Sequence, residues 1–182
     1  MYKSIPTYKD GLWSETHFEE KNDWVSYLLT LFKEPGQYEF DDTALLFNEQ
    51  AVIFNKQGFY CDKPFRSKDF NKYWEDQKFK CKEGVLYHGK KNVFYLTRDY
   101  YMWLNFLPIF DKEEKKYGFA KVRDAQYHMA LYEVLAEEHN KHVAILKKRQ
   151  IASSYFHMAK LINQFWFEAG SICKIGASLK DY

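Results

Sequence analysis

The stretch that decides the fold runs from Arg123 to Tyr155: RDAQYHMALYEVLAEEHNKHVAILKKRQIASSY. Asp124 is placed to cap a helix from Ala125 to about Glu138. Tyr127, Ala130, Leu131, Val134 and Leu135 recur at steps of three and one, which builds a single apolar face. His139-Asn140-Lys141 reads as a turn. His142 to Leu146 (HVAIL) reads as an apolar strand with β-branched character. Lys147 to Ser153 is a short polar loop, and Ser154 to about Glu168 a second helix. Ala169-Gly170 breaks that helix, and Ser171 to Ile175 opens another strand. Helix, strand, loop, helix, strand in this order is a βαβ unit with a leading helix, the building block of a parallel sheet in an α/β fold.

The loop between the strand and the second helix carries the candidate chemistry. A helix N-terminus presents free backbone N–H groups and the positive end of the helix dipole, so it attracts anions. Ala152, Ser153 and Ser154 are small enough for backbone to approach a phosphate. Lys147, Lys148 and Arg149 add positive charge beside it, and Ser154 offers a hydroxyl where Mg²⁺ would sit. A standard Walker A loop reads GxxxxGK[ST]. Here Ala152 stands at the second glycine and Ser153 at the lysine, so the residues also fit an ordinary β–α loop with a basic rim. Ser154 likewise fits a plain helix N-cap, and both roles need the same oxygen.

Upstream of this unit the chain is punctuated less clearly. Residues 1–23 read as an irregular start. Trp24 to Phe32 reads as a short helix stopped by Pro35-Gly36. Gln37 to Gln57 reads as short strands, with Ala51-Val52-Ile53-Phe54 densest in β-formers. Phe70 to Phe79 fits a helix, and Gly84–His88 and Asn92–Leu96 fit strands. Thr97 caps a helix that ends before Pro108, and residues 110–119 read as a hairpin around a charged turn. Of the 182 residues 46% are hydrophobic and 20% aromatic, which is ample for a packed core and excludes a disordered chain. A net charge of +2 does not single out a nucleic-acid binder, although a local patch can hide in a balanced total. Cys61, Cys81 and Cys173 form no CxxC pair, which argues against a zinc knuckle and for free thiols in a reducing compartment. No apolar run reaches the ~18 residues a membrane span needs, so the expectation is a soluble protein without membrane contact. His139 and His142 straddle a turn, and His128 and His157 each stand alone. Glu133, Glu137 and Glu138 read as solvated charges on an outer helix face.

Residues 95–178 resemble the N-terminal ATPase region of the large terminase subunit of tailed bacteriophages, the motor that packages DNA into procapsids. The likeness rests on Arg123, Asp124 and Gln126 opening a helix. It rests also on the apolar strand followed by Lys147, Arg149, Gln150, Ala152 and Ser154, and on the helix and strand after it. Ala152 replaces that family's common glycine, and Tyr155 a small Thr or Ser. Many members place the basic residue early in the loop, where Lys147 stands. The resemblance implies the start of a P-loop NTPase parallel sheet over residues 95–182, preceded by a mixed α+β extension over 1–94. It further implies Mg-ATP as the bound cofactor. Lys147 and Arg149 would act on the β/γ-phosphates, Ser154 would hold Mg²⁺, and Gln150, Ala152 and Ser153 would shape the phosphate loop. Gln126 would read the adenine edge, with Arg123 near the base or the phosphates. Double-stranded DNA, the portal protein and the small terminase subunit are the implied partners, and the host cytoplasm the implied location. A Walker B strand ending in Asp-Glu is expected only in a longer chain, so this segment alone is expected not to hydrolyse ATP. The alternative is a non-catalytic binding or structural module with a vestigial P-loop that docks a phage or nucleic-acid partner.

Overall fold

A hairpin formed by residues 3–18 supplies one edge strand and one inner strand of the sheet. In the computed structural model, which describes residues 1–111, 115–146 and 153–174, strand β1 (Lys3–Lys9) turns through Asp10-Gly11 into β2 (Leu12–Phe18). Both turn residues have positive φ, 51° and 84°, which matches the right-handed twist of a tight hairpin. β1 then pairs in parallel with β3 (Val85–His88), Thr7 lying opposite Leu86. β3 pairs antiparallel with β4 (Val93–Leu96), which gives the order β2-β1-β3-β4. Both faces of the inner strands are covered. Tyr87 and Phe94 face each other across the ladder and meet the Phe47 ring at 5.0 and 5.4 Å. Leu86 and Tyr95 occupy the other face, where Trp24 stands edge-on to Tyr95 at 5.0 Å.

Local chemistry sets the helices. Glu20 and Asp23 form a reciprocal capping box at the start of α1 (Lys21–Thr30), which buries Trp24 and Leu28, one turn apart. α2 (Glu49–Gln57) ends at Gly58 in the left-handed conformation. Ser67 caps α3 (Lys68–Glu83) by accepting from the Phe70 N–H. At Gly84 the chain turns into β3 with φ +77° and passes so close to β4 that a Cβ would lie 2.5 Å from the Leu96 carbonyl. Thr97 caps α4 (Arg98–Phe106), whose residues from Asp99 to Asn105 are all buried. α4 is thus the central helix, with α3, α2, α5 and α6 packed around it. A short hairpin, β5 (Ile109–Asp111) and β6 (Lys116–Gly118), leads to α5 (Asp124–Glu138) and then α6 (Ser153–Phe167). One continuous core joins Ile5, Trp24 and Phe47 to Tyr100, Leu131 and Phe156. The division drawn between residues 94 and 95 falls inside β4.

The fold is therefore mixed α/β with a partly parallel sheet, but the strands lie elsewhere than the βαβ reading puts them. The parallel pair is β1 with β3, from the half of the chain read as an extension. Residues 141–146 and 171–174 form no strand, and Leu146 is fully exposed. β-Formers alone make no strand without a neighbour to complete the hydrogen-bond ladder. Ala51–Phe54, read as a strand, lies inside α2, where Val52 faces solvent and the Gly58 cap closes the helix. Residues 3–18, read as irregular, are β1 and β2.

Candidate functional site

Residues 147–152 lie outside the described residues, so Lys147, Arg149, Gln150 and Ala152 are candidates on sequence alone. The structure does place the elements on either side of them. Arg123 is exposed at the N-cap of α5. Asp124 is taken up by the backbone of an earlier loop, its two oxygens accepting from the Gly36 N–H at 2.5 Å and the Tyr38 N–H at 2.9 Å. Gln126 is buried, at 2% exposure, rather than lying on the helix surface. Ser153, the first residue of α6, is buried, whereas Ser154 is exposed. Of the two adjacent hydroxyls, Ser154 is the one open to an incoming ligand.

The starts of α5 and α6 converge on one residue of α4. The Arg123 N–H donates to the Tyr100 hydroxyl at 3.2 Å. The Tyr100 ring lies 5.8 Å from Phe156, in the first turn of α6, and Phe156 lies 5.6 Å from Trp103. Phe156, Ala159 and Asn163 are buried at helical spacing, and this stripe fixes α6 on α4. The Asn163 amide completes the seam by donating to the Cys81 carbonyl at 2.8 Å. Burial pushes the Tyr100 hydroxyl well above its usual value, so it acts as a neutral hydrogen-bonding anchor.

Charged side chains then tie α5 to α6 along their length. Glu133 accepts from His157 Nε2 at 2.9 Å and from Lys160 Nζ at 2.8 Å. Lys160 also pairs with Glu137 at 2.5 Å. Glu137 and Glu168 both meet Arg98, at 3.5 and 2.6 Å. Later residues of α5 meet later residues of α6, so the two helices run in the same sense. Burial alone would raise the Glu133 carboxyl, but hydrogen bonds from His157 and Lys160 outweigh it and hold the group below its usual range. The Glu133 hydrogen bond raises His157, against its burial.

Ser153, His157 and Glu133 have the composition of a nucleophilic triad, yet the geometry gives them another role. His157 Nδ1 lies 2.7 Å from the Ser153 carbonyl oxygen and 3.2 Å from its hydroxyl, while Nε2 faces the Glu133 carboxylate. A carbonyl and a carboxylate only accept, so both ring nitrogens are already engaged and neither is free to act as a base toward the serine hydroxyl. Ser153 is also buried, so the group is a clamp and not a catalytic triad.

The sequence reading missed this cluster. Glu133, taken as solvated, is 5% exposed, and Glu138 accepts from Trp24 Nε1 at 2.7 Å and from the Tyr2 hydroxyl at 2.6 Å. The signal was there: Glu133 follows Ala130 by three residues on the apolar stripe, and His157 and Lys160 are three apart on α6. At the far ends of both helices a cleft of about 250 Å³ is lined by Lys3, Arg98, Glu137, Glu138 and Glu168. Arg98 there is already paired with Glu137 and Glu168. Among the described residues no group of three His, Cys, Asp or Glu side chains is placed to hold a metal ion. No helix there is long and apolar enough to cross a membrane. Comparison with protein-family models, curated proteins and solved structures finds no match to this chain.

Proposed function

We propose that the chain is the nucleotide-binding front of a terminase-type ATPase, holding Mg-ATP at residues 147–154. The observation that carries this reading is the layout of α5 and α6. They run in the same sense, and the starts of both meet on Tyr100. A P-loop unit places its phosphate loop between a strand and the N-terminus of a helix, and α6 supplies that helix. In this reading residues 141–146 stand in the place of the P-loop strand, and a longer chain supplies its sheet neighbours and the Walker B carboxylate. Lys147 and Arg149 neutralise the phosphates, the exposed Ser154 hydroxyl meets Mg²⁺, and the exposed Arg123 is the candidate for the base, whereas Gln126 is buried and would have to be uncovered to reach it. Hydrolysis in the longer chain would drive double-stranded DNA through a portal, with the small terminase subunit as a further partner.

Titration calorimetry with Mg-ATP tests the reading. Binding should require Mg²⁺ and weaken about tenfold or more on Lys147→Ala, the usual effect of losing a charge-assisted phosphate contact. It should weaken also on Ser154→Ala, and the purified chain should not turn ATP over. Absence of binding, or binding indifferent to both substitutions, refutes it. A second reading, a non-catalytic docking module, draws on the outer face of α6, where Phe165 and Trp166 are 68% and 65% exposed.

A further inference from the structure

The cleft at the far ends of α5 and α6 has no part in the nucleotide reading, and it holds a lysine where the strand pattern calls for an apolar residue. Lys3 opens β1 opposite Phe18 and falls in one row with Ile5 and Thr7, on the face that Leu86, Tyr95 and Trp24 occupy. Side chains alternate along a strand, so the Lys3 stem turns inward with this row and carries its ammonium to the edge of the core. Lys3 Nζ lies 4.9 Å from the centre of the Trp24 ring and 6.0 Å from that of Tyr95. Among the described residues the Lys3 side chain makes no ion pair and no hydrogen bond. Burial lowers its amine from the ordinary lysine value, against the pull of Glu83 and Glu138. A desolvated cation with no anion bound to it is what an incoming carboxylate relieves.

Most other charges of the cleft are already engaged. Arg98 is held by Glu137 and Glu168, and Glu138 accepts from the Trp24 indole and the Tyr2 hydroxyl. Lys82 is exposed to solvent. The Glu83 carboxylate is the exception on the acidic side, with no ion pair or hydrogen bond among the described residues. Glu83 ends α3, and its carbonyl accepts from the Tyr95 hydroxyl at 2.8 Å, which anchors it beside the ring that Lys3 approaches. Lys3 and Glu83 thus feel each other's charge without pairing. We propose that this cleft binds a small amino acid as its zwitterion, the ligand carboxylate on Lys3 and the ligand ammonium on Glu83. A ligand of one sign would satisfy one of these groups and leave the other, whereas a zwitterion satisfies both. Val134, Phe167 and the Tyr95 ring offer its carbon chain an apolar wall. The volume of about 250 Å³ is below the ~300–1,000 Å³ of drug-sized sites, which suits a free amino acid rather than a peptide.

The test is an NMR titration of the whole chain with leucine, β-alanine and γ-aminobutyrate, which set the two charges successively further apart. The Trp24 indole N–H is the reporter, because it donates to Glu138 in the cleft wall and its ring lies against Lys3. At least one of the three should shift that signal saturably by ~10 mM, ten times a weak ~1 mM dissociation constant. For that ligand, the matching acid without the amine and the matching amine without the acid should each bind about tenfold or more weakly, the effect of losing one charge-assisted contact. Lys3→Met should weaken the amino acid and the acid about tenfold and leave the amine unchanged. Glu83→Gln should do the reverse, weakening the amino acid and the amine and leaving the acid. Glu83→Gln and the single-charge ligands decide the matter even where Lys3→Met does not fold. No saturable shift with any of the three amino acids overturns the proposal. Equal affinity for a ligand of one charge, or binding unchanged by the substitutions, overturns it as well. Mg-ATP enters none of these measurements, so their outcome is separate from that of the nucleotide reading.

Discussion

Asp99→Asn should make this protein more stable, and only above the carboxyl's titration. Asp99 sits in the first turn of α4, 3% exposed, with Oδ1 lacking a hydrogen-bond partner among the described residues. Its Oδ2 is 3.7 Å from Arg98 Nε, too far for a hydrogen bond. Burial raises this carboxyl from 3.8 to about 6, and Arg98 offsets only part of that. The folded state thus holds the Asp99 proton more tightly than the unfolded chain does, so stability falls as pH rises from about 4 to about 6 and stays reduced above. A displacement of that size corresponds to about 3 kcal/mol, most of it lost between pH ~4 and ~8. Asparagine removes the ionisation but also forfeits a favourable charge at a helix N-terminus, about 0.3–1 kcal/mol. The net gain at pH ~8 should be about 1–2 kcal/mol, or a urea midpoint higher by about 0.5–1 M. Urea unfolding followed by tryptophan fluorescence checks this, since Trp103 lies buried on the same helix. The decisive quantity is the change in the gap between variant and unaltered chain from pH ~4 to ~8, because pH-independent losses cancel in it. A gap equal at both pH values would refute the reasoning and make Asp99 an ionised anchor for Arg98.

Three further substitutions probe other parts of the fold by the same assay. Gly84→Ala should cost more than about 2 kcal/mol, because φ is +77° and the new Cβ would meet Leu96 backbone and the Tyr95 ring; a cost under ~0.5 kcal/mol would show that β3 and β4 can move apart. Phe156→Ala should cost about 3–5 kcal/mol and expose α6 to hydrogen exchange ahead of the sheet; uniform exchange would show that α6 does not detach separately. Asp124→Ala should cost about 1–2 kcal/mol by orphaning the part-buried Tyr38 N–H and freeing the exposed Gly36 N–H to water, with limited proteolysis quickening at residues 33–38; unchanged proteolysis would mean that the loop is held elsewhere.

The helices were legible because their signals are local. Thr97 caps α4 through the Tyr100 N–H, and α5 and α6 begin within one residue of where their patterns put them. The sheet was not legible, for two reasons. Pro6 inside Lys3–Lys9 hides a strand whose parallel ladder starts only at Thr7, just past the missing N–H. The Asp10-Gly11 pair was the stronger sign, a hairpin turn flanked by two runs of seven. The apolar run at 142–146 misled in the opposite direction, since periodicity reports what a segment could bury and not whether a partner strand is present. Of the candidate site, residues 147–152 lie outside the described residues, and the clamp was not legible. Glu133 and His157 are 24 positions apart and meet only because two helices run side by side.

The sheet also sets a timetable. Its interior strand β1 is made first, and its parallel partner follows about eighty residues later. At about 5–20 residues per second of synthesis, that is a wait of roughly 4–16 s. Until then the first hairpin has one neighbour at most, and an isolated hairpin is marginal in water. Trp13, Tyr8 and Ile5 are left without Tyr87 and the rest of the core to cover them. Residues 3–18 therefore stay open to chaperones and proteases over that interval, and a ribosome that pauses before Val85 prolongs it.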